Sequence, residues 1–324
     1  MPIVRFSIPF DLSIFRKEKM MRGFGLKRVL LASALIASPL TAQDAPSDDE
    51  IVVVGKTEAD AVKDLAETIT RRSRVDKPIS RFQDPVCLKV SGMPEEMAAL
   101  VEDRIEANAR QVGAKLAEPD CKINTLVAFV NDAPGLFERL REDEPWLFND
   151  MMRHEFDRVA KEDSGVRAWH TQMMRDSAGR EIPYEVVLIN GRHIEMPVLR
   201  VYKASRLQIP ISMELTGSVV LIDLAHVSGK TFRQLADYAS MRILGMTGSE
   251  RVEGSDTRIP TIMILFDEGE TAPAGWTEFD QAYLTALYDT QYYARSGSVR
   301  NMTLRRYRGL IADKGRTGDE IEPS

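Results

Sequence analysis

Apolar residues recur along this chain with two different periods, and the two periods divide it into helices and strands. Val62, Leu65 and Ile69 stand at helical spacing in a short segment over 58–71. Met97, Leu100, Val101, Ile105 and Val112 form a stripe on one side of a helix expected to run from Pro94 to about Leu116, opened by proline and followed by two acidic residues. Shorter helical patterns follow at about 135–143 and 146–161. Phe232, Leu235, Ala236, Ala239 and Ile243 mark another helix that Gly245 stops. Thr277 with Asp280 three residues on is close to a capping box for the next, and a basic helix over 299–311 comes last.

Between these lie strand patterns. INTLVAFV (123–130) and SVVLIDL (218–224) are apolar enough to be buried on both faces, and Ile259 to Phe266 is a further buried run. Arg167 to Thr171, Tyr184 to Ile189 and Ile194 to Tyr202 read as strands, with Asn190-Gly191 as the hairpin turn and Pro197 marking an edge. The mixture predicts an α+β domain whose central sheet, mostly antiparallel or mixed, is packed by helices from both ends of the sequence.

The N-terminal pattern differs in kind. Arg22, Lys27 and Arg28 precede a nine-residue, almost wholly apolar run, Val29 to Ala37, and Pro39-Leu40-Thr41-Ala42 supplies a break and a small residue. Positive flank, short apolar core and small-residue exit predict a signal peptide over 1–42, cleaved near Ala42. Met20 or Met21 would start a signal of ordinary length. The run falls short of the ~20 residues that cross a bilayer, so no membrane span is expected after cleavage. Residues 43–84 are expected to form a disordered or extended arm and linker, 85–312 a single globular domain, and 313–324 a disordered tail. The expected location is the periplasm or the exterior.

Charge and cysteine content sharpen this. The 324-residue chain has 43 Lys+Arg and 49 Asp+Glu, net −6. Cleavage after Ala42 would leave 36 against 47, net −11. An acidic balance argues against nucleic acid as a partner, since phosphate-backbone binding needs clustered cations. The two cysteines, Cys87 and Cys121, favour a disulfide in an oxidising compartment, with two buried thiols as the alternative.

Motifs that carry chemistry are incomplete. His154-Glu155 begins a zinc-protease helix signature, but the residue four beyond His154 is Arg158, a cation that repels zinc. The four histidines, His154, His170, His193 and His226, have no ligand spacing. Asp163-Ser164-Gly165 matches the aspartic-protease tripeptide without the apolar strand before it, and reads better as a turn at a helix end. Gly229-Lys230-Thr231 lies between strand and helix as a phosphate loop does, yet the required earlier glycine is Leu224. No cofactor and no metal are expected. The candidate patch with some chemical capacity is Asp223 at a strand end, His226 in the loop after it and Asp237 in the next helix.

Ile51-Val52-Val53-Val54-Gly55 resembles the short motif near the mature N-terminus of TonB-dependent outer-membrane receptors, which adds a strand to TonB. The series LADYASMRILG, PTIMILFDEG and WTEFDQAYLTALYD, with Pro85-Val86-Cys87 and INTLVAFVNDAPGLFERL, resembles exported proteins of unknown function from Gram-negative bacteria. Some related families are laid out like zinc peptidases, with a central helix where the zinc motif sits. That helix here, Thr231 to Leu244, contains no histidine, so the resemblance implies a peptidase-like scaffold without the metal. Three functions follow as expectations. The first is a non-catalytic, envelope-associated domain that binds a protein or cell-envelope ligand. The second is a divergent metal-dependent or acid/base hydrolase using Asp223, His226 or Asp237. The third is an accessory to a TonB-linked uptake system.

Overall fold

A computed structural model describes residues 57–71, 77–148, 151–162, 164–201, 209–248, 259–267, 269 and 271–319. The signal segment, its cleavage point and the Ile51–Gly55 run lie outside the described residues. The first element, α1 (Glu58–Ile69), starts at a capping box in which the Thr57 hydroxyl accepts from the Asp60 amide while the Asp60 carboxylate accepts from Thr57. It buries Ala61, Val62, Ala66 and Ile69 in the main core.

Next, β1 (Leu88–Ser91), α2 (Glu95–Gln111) and β2 (Thr125–Val130) make a parallel crossover unit, with Leu88 paired to Thr125 and Ser91 to Ala128. The chain then forms α3 (Ala133–Asp143), a single 3₁₀ turn over Pro145–Phe148, and α4 (Arg153–Ala160). The long strand β3 (Val166–Asp176) leads into a separate hairpin, β4 (Tyr184–Ile189) and β5 (Arg192–Pro197). It is followed by β6 (Ile211–Asp223), then α5 (Phe232–Leu244), α6 (Glu278–Asp289) and α7 (Ser296–Asp319).

The main sheet has the order β1-β2-β6-β3. Three strands run parallel, and β3 pairs antiparallel with β6. The class is α+β and the sheet is mixed. Alternation along the strands builds two cores. Val127, Phe129, Val220, Ile222, Val166 and Ala168 face the helices α1, α2, α5, α6 and α7. Ala128, Leu221 and Trp169 point the other way, onto α3, the 3₁₀ turn and α4. On that side Phe137, Phe148, Phe156 and Trp169 pack ring to ring at centroid distances of 4.9–5.8 Å.

Several boundaries differ from the sequence reading. Residues expected as a linker are in the fold: α1 is in the core, and Ser80, Arg81, Phe82 and Gln83 are buried. Arg81 donates to the carbonyls of Leu287 and Thr290 at the end of α6, while its backbone bridges to Glu214 on β6. The segment is thus fixed by hydrogen bonds that its basic, Pro-containing sequence did not disclose. α2 stops at Gln111, ahead of Gly113 at φ +83°. Ile259 to Phe266 is buried as expected, and its side chains are carried around a 3₁₀ turn (Ile262–Ile264). The last helix continues to Asp319, beyond the expected end at 311.

Cys87 and Cys121 form a disulfide with Cα atoms 6.0 Å apart, fastening the segment after α2 to the start of β1. In the chain-entropy treatment a 34-residue closed loop contributes about 3–4 kcal/mol. Replacing both cysteines by serine is therefore expected to lower the urea unfolding free energy by about that much, without change in the far-ultraviolet spectrum; a loss under about 1 kcal/mol would show that the loop is held by other contacts.

Candidate functional site

The sheet has one topological switch point. α2 enters β2 from one face and α3 leaves it on the other, while α5 leaves the neighbouring strand β6 on the α2 face. Crevices beyond the carboxyl ends of such strands are common ligand positions. Asp223 ends β6 there and spans the gap: one carboxylate oxygen accepts the Ala133 amide at the start of α3 (3.2 Å), the other the Ala225 amide (2.9 Å). Both contacts position backbone. His226 closes the 3₁₀ turn Leu224–His226, and its exposed ring lies on Gly165. A Cβ at Gly165 would fall 2.4 Å from Nδ1, and this glycine has φ +67°, so close approach and a left-handed backbone both require it.

Asp237 lies elsewhere in function. It is fully buried in α5, and its Oδ1 accepts from Arg104 Nε (2.7 Å) and Asn108 Nδ2 (2.7 Å), both on α2. Its Oδ2 accepts from Arg104 Nη2 (3.1 Å) and from the Trp276 amide ahead of α6 (2.9 Å). A Cβ at Gly275 would come within 2.7 Å of this oxygen. A carboxylate enclosed by four donors has no lone pair directed at a substrate proton. Asp223, His226 and Asp237 therefore do not form one constellation.

Helix α5 carries further buried polar side chains. On its buried side Tyr238 and Arg242 stand at i, i+4, with Arg242 Nη1 donating to the Tyr238 hydroxyl (2.7 Å) and Nη2 to Glu162 (3.0 Å). Arg71 also pairs with Glu162 and donates to the Ala168 carbonyl. His170, on β3, donates Nε2 to the Arg242 carbonyl at 2.9 Å. Burial first, then the Arg71 charge, push its pKa down to about 3, so it is neutral at ordinary pH.

The remaining motifs resolve into structure. Thr231 caps α5 reciprocally with Gln234, and Lys230 lies over the Phe266 ring at 5.0 Å, so Gly229-Lys230-Thr231 is a helix-opening turn. Asp163 is outside the described residues; Ser164 and Gly165 form the turn between α4 and β3. His154 is on α4, His170 on β3, His193 on β5 and His226 in its turn. Among the described residues no group of three or more His, Cys, Asp or Glu is placed to hold a metal ion.

One feature was missed in the sequence. Of the 15 exposed large hydrophobic residues described, eight fall between 173 and 201: Met173, Met174, Tyr184, Val186, Leu188, Ile189, Met196 and Val201. Tyr184, Val186 and Leu188, alternating along β4, are 68%, 65% and 63% exposed. The signal was present in YEVVLI itself, whose single charge leaves an apolar residue on each face. Comparison with known protein families, with curated proteins and with solved structures finds no match to this chain.

Two buried groups give a signed pH test. His170 titrates in the fold at about 3 against an ordinary 6.5, so its contribution is lost as pH falls through that interval. Asp280 behaves oppositely: burial pushes its pKa up to about 6 despite hydrogen bonds from Thr261, Ile262 and Thr277. The fold therefore binds this proton more readily than the unfolded chain, and stability rises as pH falls from about 6 toward 3.8. Relative to the parent, His170→Gln is expected to gain stability on acidification from pH 6 to 4 and Asp280→Asn to lose it, each by up to about 1 kcal/mol per pH unit. Urea titrations at fixed pH values read both slopes, and parallel curves would contradict the assignment.

Proposed function

We propose that this protein is an exported, envelope-associated domain that acts by binding rather than by catalysis, with the β4–β5 hairpin as its contact surface. The observation that carries this reading is that, among the described residues, five of the 15 exposed large apolar side chains lie on the hairpin, with Tyr184, Val186 and Leu188 side by side on one face of β4. Contiguous exposed apolar surface on a soluble domain marks a site of association. The candidate acid/base residues add support, since Asp223 and Asp237 direct their oxygens at amides and guanidinium groups inside the fold. The Cys87–Cys121 disulfide supports an oxidising compartment, in keeping with the signal pattern over 1–42.

Leu188→Glu places a charge at the centre of the surface without touching either core. It is expected to reduce co-sedimentation with isolated cell envelopes at least ~10-fold, equivalent to the loss of one contact of about 1.4 kcal/mol. The melting temperature should not change. Stoichiometric zinc in the purified protein, lost in His226→Ala, would contradict this reading and favour a hydrolase.

A further inference from the structure

The hairpin has two outer edges, and they are unequal. Its turn, Asn190-Gly191, has φ of +50° and +76°, the left-handed pair that a two-residue type I′ turn requires. In such a hairpin Ile189 and Arg192 form the first hydrogen-bonded pair, and bonding alternates from there. The Val198 amide donates to the Pro183 carbonyl at 3.0 Å, which confirms the parity at the far end. Pro183, Glu185, Val187 and Ile189 thus bond inward to β5, while the N–H and C=O groups of Tyr184, Val186 and Leu188 point away from it. On the opposite edge the outward residues are His193, Glu195 and Pro197. Proline and charge blunt that side, as natural edge strands require; β4 carries neither at its outward positions.

We propose that β4 pairs antiparallel with β4 of a second copy of this chain about a two-fold axis at Val186, joining two hairpins into one four-stranded sheet. The sequence is self-complementary in this register. Val186 meets Val186 of the other copy and Tyr184 meets Leu188, so each outward apolar residue has an apolar neighbour. All three outward amides and carbonyls of each strand find partners, giving six hydrogen bonds across the axis by the antiparallel alternation. On the other face Glu185 stands opposite Val187, not opposite its own equivalent, and each Glu185 is already paired with Arg200 at 2.9 Å. No like charges are directly opposed. An isologous contact of this kind closes as a dimer and does not propagate, because each copy's second edge ends in Pro197. Pairing also relieves a weakness of the fold, since a two-stranded sheet standing apart from the core is marginal in water and four strands are not.

This inference rests on the hairpin being a contact surface, and its test separates the two. Sedimentation velocity on the intact protein is expected to show a dimer. Val186→Lys and Val186→Glu each place like charges face to face on the two-fold axis, and each should weaken dimerisation at least ~10-fold. An equal mixture of the two variants brings Lys against Glu and should restore the dimer to within several-fold of the parent, an outcome that misfolding of either variant would not produce. A parent that stays monomeric at the highest attainable concentration overturns the pairing, including where it still co-sediments with envelopes, which would assign the edge to a foreign strand. A dimer that both charge variants leave intact overturns it as well.

Discussion

The carboxylate of Asp237 joins three parts of the molecule that the sheet alone does not fasten. It is fully buried on α5, takes a two-point contact from Arg104 and an amide bond from Asn108 on α2, and caps the backbone at Trp276 ahead of α6. α2 is the crossover between β1 and β2, and α5 leaves β6. Fixing these two helices side by side therefore fixes the order in which three parallel strands are covered. The Arg104 guanidinium completes the arrangement above the Trp276 ring, 6.0 Å from its centre.

A second ionic group works on the neighbouring stretch of the same helix. Glu162, from the end of α4, receives Arg242 of α5 and Arg71 from the segment after α1. Both networks lie on the inner side of α5. That side holds guanidinium groups with committed partners, and neutral His170 is enclosed among them. Buried charges of this type confer position more than net stability.

Much of the fold was legible in residue periodicity. The strands at 125–130 and 218–223, the hairpin turn at Asn190-Gly191 and the capped helices at Thr231 and Thr277 all announce themselves locally, through apolar runs and short-range hydrogen-bonding residues. What periodicity did not convey is long-range. Ser80 to Gln83 look like a linker because Arg81 and Gln83 are polar, yet their partners are 129 to 209 residues away. Ile259 to Phe266 reads as a buried run and is one, but its acceptor, the Asp280 carboxylate, is not visible in the pattern. The hydrogen-bond partners of the candidate site residues were hidden for the same reason. Asp223, His226 and Asp237 are close in sequence, whereas, the local Ala225 amide apart, the atoms that claim the two carboxylates come from α2, α3 and the segment before α6.

Whether Asp237 is a structural tie or a reactive group is decided by the stability of Asp237→Ala measured in urea. Removing the buried carboxylate leaves Asn108 and the Trp276 amide unmatched beside the partly exposed Arg104, and a loss of about 2–4 kcal/mol is expected. Residues kept for chemistry are characteristically neutral or unfavourable to stability. A variant as stable as the parent, or more so, would contradict the account.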